Sequence, residues 1–240
     1  MKNYIVFDLE WNQSANGKER SVPHFPFEII EIGAVKLNEN FQMTGEFHRL
    51  VRPQVYTQMH HAISEVTHMN MKELRSSGEL FPDAAAEFLA WCGGDAVFCT
   101  WGNMDLLELQ RNMDYYHMEN PFSKPLLYYD VQKLYGLFCR ENARISLDSA
   151  VEEQNLMEER PFHRALDDAY YTGKLLTMLG QTPGPDAILP FWSVDYYRLP
   201  SDKKEEIRMT FPAEIPSSAT SKYGSSPDFP LNLSLQKLKQ

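Results

Sequence analysis

Apolar and polar residues alternate between short runs and breaks along the first third of the chain. Residues 4–11, rich in Tyr, Ile, Val, Phe, Leu and Trp, predict a strand. Residues 12–26 are polar, with Gly17, Pro23 and Pro26, and predict a loop. Two more apolar runs follow, at 28–37 and 41–51, separated by a turn-like stretch at 38–40. Three strands so closely spaced predict an antiparallel meander, ended by Pro53. Residues 54–78 are mixed and predict short helical pieces.

Beyond this point the periodicity lengthens. Residues 82–92 predict a helix, with Pro82 and Asp83 at its start. A short apolar strand at 95–101 leads to a helix at 103–117, with Asn103 in the N-cap position. A strand at 126–131 precedes helices at 131–141 and 147–154, and a long helix at 165–179 is read as stopping at Gly180. A meander followed by alternating helices and strands predicts an α/β protein with a mixed sheet flanked by helices. From 181 to 240 the pattern fades into eight prolines and many serines. This divides the chain into a domain at 1–180 and an extension at 181–240, partly ordered or flexible. Phe191-Trp192 and Tyr196-Tyr197 are candidate anchors onto the domain, and 217–226 reads as a tether. Residues 231–238 read as a loosely packed tail or a short amphipathic segment for a protein partner.

Composition narrows the function classes. The 240 residues are 43% hydrophobic, enough to build a core, and carry a formal net charge of −10. That charge argues against coating long nucleic acid by bulk attraction, but leaves room for a local groove or a short polyanionic substrate. The extension holds seven acids and seven bases, so the excess negative charge lies within 1–180. Three cysteines, Cys92, Cys99 and Cys139, lack metal-ligand spacing. With no secretory or membrane-spanning run, they suggest reduced thiols and a cytoplasmic protein without a membrane partner.

The first strand holds the chemical signal. Asp8 and Glu10 interrupt its apolar run two residues apart, so both face one side of the sheet. Paired like charges there are costly unless compensated. They mark either an exposed strand end or a site for a hard cation, which takes oxygen ligands. Asp105 sits at a strand-to-helix corner, where it either complements the helix dipole or joins a site. On the last helix Asp167 shares a polar row with Arg164, Tyr171 and Lys174, whereas Asp168 shares a more apolar row with Ala165, Thr172, Leu175 and Leu179. Asp168 is therefore the inward candidate. His163, five residues earlier, converges with it only from the preceding loop, and otherwise reads as a capping or surface residue. Four acids and a histidine are the set that two close divalent ions and a general base require.

The segments FDLE (Asp8, Glu10), TWGNMD (Asp105) and HRALDDA (His163, Asp168), in this order, resemble the three motifs of the DEDD 3′–5′ exonucleases of the DEDDh subgroup. The resemblance covers about residues 3–180. FEIIEIGAVKLN and FHRLVRP are similar to the branch of histone-mRNA and small-RNA 3′ exonucleases and their bacterial relatives. It implies an RNase H-like fold with a five-stranded mixed sheet, two Mg²⁺ or Mn²⁺ ions and stepwise release of 5′-mononucleotides. Carried over by motif position, Asp8 would bridge both ions. Glu10 and Asp168 would complete the site of the water-activating ion, Asp105 would support the second, and His163 would be the general base. His68 stands where relatives often have glycine, and Trp11 and Asn12 stand where many have a small residue or Thr. Trp11, Asn12, His60 and Arg164 are candidate substrate contacts, with His61 and Arg144 as further phosphate candidates. Each also reads as an ordinary core or surface residue. The expected partner is a single-stranded 3′ end, RNA over DNA. The alternatives are a DNA-directed exonuclease and a catalytically idle nuclease fold used for binding.

Overall fold

The computed structural model describes residues 3–15, 21–119, 126–139, 144–157, 160–181, 192–196 and 207–210. Three strands come first: β1 (Asn3–Gln13), β2 (Phe27–Leu37) and β3 (Met43–Leu50). Helices α1 (His61–Thr67), α2 (Met71–Ser77) and α3 (Phe81–Cys92) follow. Then come β4 (Ala96–Thr100), α4 (Met104–Tyr115), β5 (Leu126–Asp130), α5 (Val131–Cys139), α6 (Leu147–Glu153) and α7 (Ala165–Gln181). Strands β6 (Trp192–Tyr196) and β7 (Ile207–Thr210) close the order.

The sheet order is β3-β2-β1-β4-β5-β6-β7. Its first five strands are the expected mixed sheet, an antiparallel β1–β2–β3 meander with β4 and β5 parallel to β1. Strands β6 and β7 continue it antiparallel beyond β5. Both candidate anchors, Phe191-Trp192 and Tyr196-Tyr197, lie only half within the described residues, and 217–226 and 231–238 lie outside them.

Register places the helices. Val6 pairs with Val35 and Phe7 with Ala34, so the two pairs point to opposite faces. Phe88 of α3 packs on Phe7 and Phe47, ring centroids 5.6 and 5.5 Å away. A Cβ added to Gly173 of α7 would meet Val35 at 2.8 Å and Val6 at 3.9 Å. Thus α3 covers one face of the meander and α7 the other. With both faces covered, β2 reads as an almost unbroken buried run rather than an alternation.

Local chemistry departs from the sequence reading at three points. Helix α7 continues through Gly180 to Gln181. That glycine makes room for a ring, because a Cβ there would stand 2.5 Å from the Phe41 ring. Asn103 precedes α4 in an αR conformation and makes no side-chain cap. Strand β1 runs two residues past Trp11, with a bulge between Glu10 and Trp11 where its register on β2 shifts.

Candidate active site

Asp8, Gly33, Glu10 and Glu31 share the α7 face of the sheet, since Asp8 pairs with Gly33 and Glu10 with Glu31. At Gly33 the start of α7 touches the strand backbone. A Cβ there would lie 2.0 Å from the Leu166 nitrogen, so only glycine admits this approach. The contact brings Asp168, on the first turns of α7, over Asp8 and Glu10. One carboxylate oxygen from each of Asp8, Glu10 and Asp168 lies within 4.8 Å of the others.

Such a cluster resists ionisation. Burial, then the charges of Asp105, Glu10, Asp168 and Glu31, raise the Asp8 carboxyl well above its usual range. Burial and the neighbouring Asp168 and Glu31 push Glu10 up to about 8, against a lowering influence from Arg164. Asp168 is pushed up to about 7, chiefly by burial, although the His163 amide stabilises its charged form. Three hard oxygen donors converging where their own repulsion is uncompensated fit a divalent cation. Asp8, Glu10 and Asp168 are the residues that could hold it.

Asp105 stands apart from this trio. It is buried at the start of α4, and its Oδ1 accepts the Leu9 amide at 3.1 Å, between the two β1 carboxylates. Burial pushes it up to about 7, opposed by that hydrogen bond. His163 lies in the loop before α7, exposed, in a left-handed conformation with φ 65°. Its backbone amide donates to both oxygens of Asp168, 3.2 Å each. Asp168 rather than Asp167 faces the cluster, while Asp167 lies 3.5 Å from Arg160.

The candidate substrate contacts divide. Trp11 is partly buried, its ring 5.6 Å from Phe27, beside the bulge. His60 is partly buried against His61, ring centroids 4.6 Å apart, and its Nδ1 is buried with no hydrogen-bond partner. His61 and Arg144 are exposed. Asn12 and Arg164 both make hydrogen bonds within the protein. Asn12 is wholly buried. Its amide donates to Tyr56 O and Gln58 O and accepts from the His60 amide, pinning the 56–60 loop to β1. Arg164 binds Glu31 through Nε and Nη2, the shortest contact being 2.7 Å.

Sequence reasoning missed Glu31 and Glu28, both wholly or almost wholly buried on β2. Glu28 collects the amides of Gln54, Val55 and Tyr56 and the Tyr116 hydroxyl. Burial raises Glu31, but His48, Arg164 and the Ala165 amide outweigh it and hold this carboxyl below its ordinary value. The signal for both was the one that exposed Asp8: an acid inside an apolar strand.

Residues 5–176 match the family model described as Exonuclease, of the RNase T type. A probable 3′-5′ exonuclease, KapD of Bacillus subtilis (strain 168), is 27% identical over 187 residues, covering 74% of this chain and 84% of KapD. The nuclease domain of 3′hExo, a DEDDh family member bound to rAMP, is 23% identical with a TM-score of 0.60, over 74% of this chain and 91% of that one. A 3′-exonuclease described for 3′-end specific recognition of histone mRNA stem-loop is 18% identical with a TM-score of 0.69, over 90% and 92%. At these identities the two solved structures share the fold. The chain belongs to the Exonuclease family and is a 3′–5′ exonuclease.

Proposed function

We propose that this exonuclease depends on divalent cations, Mg²⁺ or Mn²⁺, and removes 5′-mononucleotides from the 3′ ends of single-stranded RNA or short oligonucleotides. The observation carrying this reading is the convergence of Asp8, Glu10 and Asp168 within 4.8 Å beside His163. Asp8, Glu10 and Asp168 would hold the cation, with Asp105 supporting a second. Cations held there would neutralise these carboxylates and would supply Lewis-acid polarisation of the phosphodiester and a lowered pKa for the attacking water.

The protein's own groups supply the rest. His163 accepts a proton from the water at an imidazole nitrogen as general base. The hydrogen bond that its backbone amide donates to Asp168 keeps the loop carrying that ring against the carboxylates. Trp11, next to Glu10, offers a face on which the terminal base stacks, and His60 lines the approach. Asn12 and Arg164 act by holding neighbouring segments in place. Catalysis resides in residues 1–180, and 181–240 is an extension that adds strands to the sheet and is open to a protein partner. Three free cysteines suit a reducing, cytoplasmic setting. Among the described residues no helix is long and apolar enough to cross a membrane.

The relatives support the RNA preference: 3′hExo is bound to rAMP, and the second structure concerns histone mRNA. The test is purified protein with matched 5′-labelled RNA and DNA, in Mg²⁺, Mn²⁺ or EDTA. Faster 3′ shortening of RNA, abolished by EDTA, is expected. A clear DNA preference contradicts the substrate assignment, and full activity in EDTA contradicts the cation requirement.

A further inference from the structure

Glu31 takes no part in the chemistry proposed above, yet it is wholly buried directly across from Glu10 in the β1–β2 ladder. Its carboxylate gathers three residues. Arg164 donates from Nε at 3.1 and 3.2 Å and from Nη2 at 2.7 Å, and the Ala165 amide donates at 3.1 Å. His48 of β3 places Nε2 2.7 Å from Oε1. Arg164 and Ala165 are the two residues after His163, whose φ of 65° is one that L side chains rarely adopt. Such a conformation persists only when its surroundings over-determine it. Here the His163 amide is tied forward to Asp168, and the next two residues are tied down to Glu31.

A buried ion pair is weak evidence for stability, since apolar residues of similar volume often replace one without loss. Placement against a strained turn that carries a candidate base and a candidate cation ligand gives this pair a sharper use. We infer that Glu31 is a positioning residue: through Arg164 and Ala165 it fixes the left-handed turn at His163 and the first turn of α7. That aims the His163 ring and the Asp168 carboxylate at the same point. The inference rests on the catalytic reading of His163 and Asp168. It also reassigns Arg164, whose guanidinium serves the turn and not a substrate phosphate.

The experiment compares Glu31→Gln, Arg164→Gln and the double variant on a 5′-labelled oligoribonucleotide with Mn²⁺. Circular dichroism at the assay temperature normalises for folded protein. The expected result is at least a tenfold fall in kcat for each single variant, KM within threefold, and little further loss in the double variant, because the two residues act as one unit. In cation-free protein, the ¹³Cα chemical shift of His163 should leave its left-handed value in Glu31→Gln. A kcat within twofold of wild type in Glu31→Gln, with that shift unchanged, overturns the inference. So does an Arg164→Gln variant that raises KM at constant kcat. If Glu31→Gln does not fold, His48→Gln removes the partly exposed partner and leaves the ion pair in place. A smaller kcat loss in the same direction is then expected, and no change counts against the inference. An active Asp8→Ala enzyme would instead refute the catalytic reading, and the chemical-shift result would stand independently.

Discussion

The backbone amide of His163 donates to both carboxylate oxygens of Asp168, at 3.2 Å each. This pair ties the candidate general base to the candidate cation ligand, so the two substitutions should fail differently. His163→Ala keeps the amide and the carboxylate trio. It should lower kcat by about 10²–10⁴, the usual contribution of a positioned proton acceptor, while Mn²⁺ binding by calorimetry stays close to wild type. Asp168→Ala should weaken Mn²⁺ binding and abolish turnover together. Equal Mn²⁺ affinities in the two variants would sever the link.

The carboxylate cluster predicts an unusual stability profile without cations. Glu10, Asp105 and Asp168 titrate near 7 to 8 in the fold, and Asp8 is raised as well, mainly through burial. Unfolded, these groups titrate near 4. Between those values the native state binds more protons than the unfolded state, so unfolding free energy falls as pH rises. The melting temperature in EDTA should therefore drop by several degrees from pH 5 to pH 8 and level off above that. Mn²⁺ should restore more stability at pH 8 than at pH 5, because it competes with those protons. Asp8→Asn should melt above wild type in EDTA at pH 8 and lose the Mn²⁺ response.

Gly33 carries no chemistry, yet the site depends on it. Its substitution by alanine would place a Cβ 2.0 Å from the Leu166 nitrogen, against backbone that cannot rotate away. Overpacking of this kind costs about 1–3 kcal/mol or more. Denaturant titration of Gly33→Ala should show that loss, and turnover should fall even at temperatures where the variant remains folded.

Trp11 and Asn12 are neighbours with opposite expected phenotypes. Trp11→Ala should raise KM roughly 5- to 160-fold with a smaller effect on kcat, matching about 1–3 kcal/mol for one stacked base. Asn12→Ala would strand the Tyr56 and Gln58 carbonyls and the His60 amide. It should cost about 1–3 kcal/mol of stability, with activity following the folded fraction. Steady-state kinetics alongside melting curves separates the two.

A mixed sheet flanked by helices was legible from short-range periodicity, whereas its five strands and the meeting of the acids were implied by the resemblance of three motifs. Asp8 and Glu10 share a face by strand alternation, and Asp168 was separated from Asp167 by helical rows. Partnerships across the chain were not legible. The pairing of Arg164 with Glu31 was hidden because that carboxylate lies on β2, 133 residues away. Asn12 looked like a loop residue because its carbonyl partners come from 56–58. Gly180 read as a helix stop, although its role is to admit the Phe41 ring from the β2–β3 turn. The proline- and serine-rich composition after 181 hid two strands, β6 and β7, whose pairing depends on the free edge of β5.

The central claim is that the Asp8, Glu10 and Asp168 carboxylates form a cation-dependent centre for removing nucleotides from a 3′ end. Its most direct test is the product ladder of a 5′-labelled single-stranded RNA with Mn²⁺, run for wild type and Asp8→Ala at equal folded concentration. Stepwise shortening from the 3′ end by wild type, with at least a thousandfold slower shortening by Asp8→Ala, is the predicted result. An Asp8→Ala ladder that keeps pace with wild type would contradict it.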